Sequence, residues 1–229
     1  MNDNALVFPP GAVWIGSEHA FDLQEAYLRF RSPAGWTLDR KPRQAELLIT
    51  ADSRYKLWIN GRFVNRGPAR CWPHAQVVDR VDVTAYLQAG RNTLAVQVYQ
   101  PGYSHFAYVH RGAAGLLVCL TVDGERGSRP VLVSDSAWRT RRDPSFSSLV
   151  PRVSIYQAGV EERNLRLVDD WTEPGYGDAS WFPARVVTYV GGHPWLRLQP
   201  RSVPLLIEQE LPRRWVASRI GVYPDHPRA

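Results

Sequence analysis

The sequence predicts an all-β fold, a sandwich of short strands, and three observations carry that expectation. Helical periodicity over a dozen residues is hard to find anywhere among the 229 residues, whereas short alternating segments bounded by Gly, Pro, Asn and Asp recur throughout. Their spacing suits a sandwich. In the stretch from Ala51 to Val98, two hydrophobic runs flank Asn60-Gly61, the pair best able to take positive φ at both centres of a tight hairpin turn.

Taken in order, the expected strands begin with Glu25 to Arg31 and Ala45 to Thr50. Tyr55 to Ile59 and Phe63 to Val64 then form the hairpin about Asn60-Gly61, and a loop rich in Pro, Arg, Trp and His follows. Gln76 to Asp79 is a short strand that leaves through the turn-forming Asp82-Val-Thr84. Gly90-Arg-Asn92 makes a second tight turn before the alternating strand Thr93 to Tyr99. Gly115 to Asp123 is next, and because Leu116 to Val122 is continuously apolar apart from Thr121, it is expected to be central and buried on both sides. Asp123-Gly124 turns the chain before a last strand, Val131 to Ser134.

Two regions read differently. Pro101 to Gly115 carries Tyr103, His105, Phe106, Tyr108, His110 and Arg111, a polar aromatic loop too long for a turn, expected to carry function or to pack over a sheet edge. Beyond Ser134 strong strands are few, and Trp138, Trp171 and Trp181 are the expected anchors of a tail docked on the sandwich. After Trp195 the chain is rich in proline and reads as an extended connector. The expected division is therefore a sandwich over residues 20–135 and, over residues 136–229, an irregular extension with short β segments and a Pro-rich connector.

Composition narrows the function classes. No apolar run approaches the roughly 20 residues of a membrane helix. The opening residues MNDNALVFPPGAVW lack the basic and apolar regions of a secretory signal, so a cytoplasmic location is expected. A formal charge of +6 and a pI near 9.6 raise nucleic acid as a partner. Its arginines are scattered, however, clustering only at Arg139 to Arg142 and at Arg213-Arg214, and no nucleic-acid motif surrounds them, so no nucleic-acid partner is expected. Cys71 and Cys119 stand too far apart for a CxxC site and are expected to be free thiols.

Candidate chemistry is sparse. Glycoside hydrolysis needs two carboxyl groups about 5 to 10 Å apart. Asp52, Asp79, Asp82, Glu161, Glu162, Asp169 and Asp170 qualify by type alone, so no catalytic pair is named. Histidines in the His105 to His110 loop lack acidic or cysteine partners at ligand spacing, so neither a metal nor a cofactor is expected. Sugar recognition is better supported, since it uses aromatic faces against C–H surfaces together with planar polar groups. The Arg66 to His74 loop supplies Arg70, Trp72 and His74, and Asp52 with Arg54 is placed to face it across the hairpin. The simpler reading has Trp72 covering a sheet edge, Asp52 pairing with Arg54 or Arg70, and the loop packing on a neighbouring domain.

Three segments carry a family resemblance. ITADSRYKLWINGRFVNRGPAR from Ile49 to Arg70, continued by VDVTAYLQAGRNTLAVQVY, is similar to the N-terminal β-sandwich of bacterial α-L-rhamnosidases, glycoside hydrolases of family 78. Asp135-Ser-Ala-Trp138 followed by WTEPGYGDASWFPARVV from Trp171 to Val187 resembles a second pattern of that family, and PWLRLQPRSVPLLIEQELP resembles the segment leading to its next domain. The resemblance implies a galactose-binding-like jelly roll ahead of the catalytic machinery, whose carboxylates lie in a later (α/α)6 barrel. It therefore implies a non-catalytic scaffold, a fragment or truncated frame, whose partner is that catalytic domain. The alternative is a free-standing carbohydrate-binding module for rhamnose-containing glycans, and a third reading is a small intact hydrolase.

Overall fold

Alternating side chains build two sheets whose apolar faces meet. In the computed structural model, residues 6–17, 23–72, 74–124 and 127–208 are described. The strands are β1 (Val13–Gly16), β2 (Ala26–Arg31), β3 (Thr37–Leu38), β4 (Ala45–Asp52), β5 (Arg54–Ile59), β6 (Arg62–Gly67), β7 (Gln76–Asp82) and β8 (Gly90–Arg91). They continue with β9 (Leu94–Gln100), β10 (Gly115–Gly124), β11 (Gly127–Val133), β12 (Arg139–Arg142), β13 (Phe182–Pro183), β14 (Arg185–Tyr189) and β15 (Leu198–Pro200). One sheet runs β14-β1-β10-β4-β7-β15, with β11 also paired to β10; the other runs β13-β12-β2-β9-β5-β6, and β3 with β8 forms a small ribbon. Among the described residues no helix is long and apolar enough to cross a membrane.

The core lies between the sheets. Leu47, Ile49 and Ala51 of β4 and Leu116, Val118 and Leu120 of β10 meet Leu28 and Phe30 of β2, Leu57 and Ile59 of β5, and Val96 and Val98 of β9. Each of these side chains except Ala51 contributes about 1.5–3 kcal/mol on full burial. Strand β10 is central and buried on both faces, because Leu117 packs under Trp14 and Trp195 while Cys119 packs with Leu48 and Val78 on the far side.

The hairpin about Asn60-Gly61 has both centres at positive φ, 51° and 77°. Asp82 Oδ1 accepts from Thr84 N at 2.9 Å and Thr84 Oγ1 at 2.6 Å, which closes the Asp82-Val-Thr84 turn.

Strand pairing does not stop at residue 135. β1, before residue 20, lies between β10 and β14. The extension supplies β12 and β13 to the second sheet and β14 and β15 to the first, so the short β segments expected in it join the sandwich sheets. Between them, Trp171 and Trp181 pack on Ala95 and Trp58, on the outer face of the second sheet. The connector expected beyond Trp195 runs through β15 as far as residue 208; its remainder, with Arg213-Arg214, lies outside the described residues.

Candidate functional site

Cross-strand register writes the outer face of the second sheet as rows. Tyr27 pairs with Tyr99 and Tyr99 with Arg54; Arg29 pairs with Gln97, Gln97 with Lys56, and Lys56 with Arg66. A third row, Arg31, Ala95 and Trp58, lies under the tryptophans of the extension. Polar residues at these outward positions are what a solvated face requires. Here the extension covers part of that face and leaves the rest open.

Ion pairs hold the cover down. Arg29, fully buried, donates to Asp143 Oδ1 at 2.8 Å and to Asp169 Oδ1 at 2.7 Å, and its guanidinium lies 5.2 Å from the Trp171 ring centre. Arg31 Nε donates to Asp178 Oδ2 at 2.9 Å. Burial alone would raise the pKa of Asp143, but hydrogen bonds from Arg29 and Ser145 outweigh it and hold the carboxyl below its ordinary range.

The open part is a cleft of about 730 Å³. Tyr27, Tyr99, Arg54, Lys56 and Gln97 line it from the sheet, and three segments line it from around: Gly67 to Trp72, His105 to Val109, and Tyr156 to Gly159. Glu25 ties two of these to the sheet. Its carboxylate accepts from Tyr99 Oη at 2.6 Å, from the Tyr103 hydroxyl, and from the backbone amide of Gly159 at 2.7 Å. Burial and the Glu25 carboxylate raise the Tyr99 pKa, so this phenol stays protonated as a donor. Phe106 N donates to Ile155 O at 3.1 Å, and the Phe106 and Tyr156 rings meet edge-on at 5.0 Å.

Of the residues singled out from sequence, Asp52, Arg54, Arg70 and Trp72 line the cleft; His74 is exposed outside it. Trp72 is 71% exposed in the lining of the cleft. Asp52 pairs with neither Arg54 nor Arg70. It is 2% exposed, accepts from Tyr108 Oη at 2.6 Å and from Trp195 Nε1 at 2.8 Å, and has Arg111 Nε at 3.9 Å. Burial raises its pKa against the lowering effect of those donors and of Arg111. Asp52 is therefore a strut. The reason is local: the Arg54 guanidinium sits over the Tyr99 ring at 4.9 Å, while Arg111 reaches from the 101–115 loop to Asp52, to Gln76 Oε1 at 2.9 Å and to the Trp72 carbonyl at 3.3 Å.

Sequence reasoning missed Tyr27, Lys56, Gln97 and Tyr99 as site residues. Their signal was present as the outward half of the strand alternation, but only register shows that they adjoin. Among the described residues no group of three or more His, Cys, Asp or Glu side chains is placed to hold a metal ion.

Comparison with known proteins agrees with this architecture. Residues 40–202 match the family described as the alpha-L-rhamnosidase N-terminal domain. An alpha-L-rhamnosidase of Streptomyces avermitilis is 27% identical over 196 residues, which is 80% of this chain and 16% of that protein. The family 78 rhamnosidase of Bacillus sp. GL1 superposes with a TM-score of 0.75 at 37% identity, over 85% of this chain and 20% of that one. The α-L-rhamnosidase of Aspergillus terreus gives 0.66 at 26% identity, over 83% and 22%. Fold and comparisons define a β-sandwich module of the kind built into glycoside hydrolases, spanning a fifth or less of the first two relatives. The chain belongs to the alpha-L-rhamnosidase N-terminal domain family.

Proposed function

We propose that this chain acts as a non-catalytic accessory module of an α-L-rhamnosidase-type glycoside hydrolase, and that its cleft holds part of a glycan. The observation that carries this is the cleft itself: Trp72 stands exposed at its mouth while Tyr27 and Tyr99 lie in contact along its sheet side, their ring centres 4.8 Å apart. An exposed aromatic face such as that of Trp72 takes the C–H surface of a sugar ring, and the tyrosine hydroxyls and arginines of the lining supply hydrogen-bonding groups.

The test is calorimetric titration with L-rhamnose and with rhamnosylated oligosaccharides. Binding is expected, weakened about tenfold or more by Trp72→Ala with no change in melting temperature, because an exposed ring contributes little to folding. Titrations that stay flat with every glycan would sink this reading.

A second reading, a scaffold for the catalytic domain, is favoured by one observation. Leu149 is 92% exposed, and Val153, Ile155, Leu165 and Leu167 are exposed along the same segment. Apolar exposure of this kind suits an interface. Co-purification with the (α/α)6 domain of a relative, lost on Leu149→Asp with Ile155→Asp, would support it.

A further inference from the structure

The cleft carries positive charge that folding does not require. Lys56 and Arg66 stand directly opposite one another on β5 and β6, and like charges so placed destabilise a strand pair. Arg54 lies in the adjoining row, and Arg70 and Arg111 line the same cleft, against Asp52 and Glu161 as its acidic lining. Two of these cations are engaged. Glu208 binds Arg66 through bonds of 2.6 and 2.5 Å, and Asp52 lies 3.9 Å from Arg111. Among the described residues Arg54, Lys56 and Arg70 have no carboxylate within ion-pair distance.

A concave site focuses the field of such charges, and its low-dielectric walls screen them less than open surface does. Arg54 is further presented at fixed height by the Tyr99 ring beneath it. Lys56 is one of the two lysines in the whole sequence, the other being Lys41, which does not line the cleft.

We propose that the cleft takes an anionic saccharide, one whose carboxylate or sulfate ester meets Arg54, Lys56 and Arg70 while its ring lies against Trp72. This rests on the reading that the cleft binds glycan and adds the charge class of that glycan.

The experiment titrates the full chain with an oligogalacturonate, with a carrageenan oligosaccharide, with the carboxyl-reduced and desulfated forms of each, and with a neutral rhamnosyl oligosaccharide. At least one anionic sugar is expected to bind about tenfold or more tighter than its neutralised form, the size of effect one charge-assisted hydrogen bond supplies. That preference should shrink as salt rises, and Lys56→Gln and Arg70→Gln should each weaken anionic binding by a larger factor than neutral binding, without lowering the melting temperature. Whether the uronate or the sulfated sugar prevails identifies the anion. Equal binding of charged and neutral forms would overturn the proposal and leave a neutral-sugar cleft. Absence of binding to any sugar would overturn both this and the reading beneath it. A deoxythymidine oligomer bound as tightly, through the same two residues, would show a site that reads charge alone and would also overturn it.

Discussion

Trp195 Nε1 donates to Asp52 Oδ2 at 2.8 Å, joining residues 143 positions apart. The same indole stacks on Trp14 with ring centres 3.9 Å apart, so one side chain secures both the back of the first sheet and the end of β4 beside the cleft. Trp195→Phe keeps most of the ring and removes the donor. Leaving a buried carboxyl short of one partner costs about 1–3 kcal/mol, which urea unfolding of the variant against the parent will measure.

Two buried carboxyls should give opposite pH signatures. Asp143 is held below its ordinary pKa, so the stability it contributes is present above the unfolded value, near 3.9, and is lost as pH falls through the folded one. The stability gap between the parent and Asp143→Asn should therefore narrow below about pH 4. Asp52 is held above its ordinary pKa, so its contribution is full below the unfolded value and is lost as pH rises through the folded one. Relative to Asp52→Asn, the parent should lose ground as pH increases from about 4. Denaturant titrations across this range read both signs.

Gly61 occupies the hairpin at φ 77°, and its amide donates to Thr172 O at 3.1 Å. A Cβ there would meet the Glu173 carboxyl as well as adopting a left-handed backbone. Gly61→Ala is expected to cost about 1–2 kcal/mol from the backbone conformation alone. Adding Glu173→Ala should recover only the part due to contact, which a double-mutant cycle separates.

Thiol chemistry should distinguish the two cysteines. Burial, with a smaller contribution from Glu46, pushes the Cys119 thiol up to about 11, and its side chain is fully enclosed. Cys71 is half-buried in the lining of the cleft, its Sγ 3.7 Å from Arg111 Nη2. At a pH near 8, an aromatic disulfide reagent should label Cys71 in the native protein and reach Cys119 only after unfolding. Labelling of Cys71 should slow when a glycan fills the cleft.

Local patterns were legible where a turn or an alternation specified them. Asn60-Gly61, Asp82-Val-Thr84 and the doubly buried β10 could be read from a few neighbouring residues, because φ preferences and strand period act at short range. What joins distant segments could not. Asn60 and Asn92 read as separate turn residues, yet Asn60 Nδ2 donates to Asn92 Oδ1 at 2.9 Å. Likewise, Arg29 and Arg31 lie on a strand whose burial is completed by acids more than a hundred residues later. The Trp72 loop stands out by its composition, whereas the adjacency of Tyr27, Lys56 and Tyr99 in the cleft lining is visible only through register.

The parallel pairing of β15 with β7 bears on where the module can be cut. A version ended at residue 190 would keep fourteen of the fifteen strands among the described residues, yet would strip β7 of the partner that Leu198 to Pro200 provides. It would also remove Arg201, which donates to the buried Asp79 at 2.6 Å, and the indole donor to Asp52. An uncovered strand edge is a template for other chains. Such a trimmed version is expected to self-associate through β7, and a transplantable unit must therefore extend at least through Arg201.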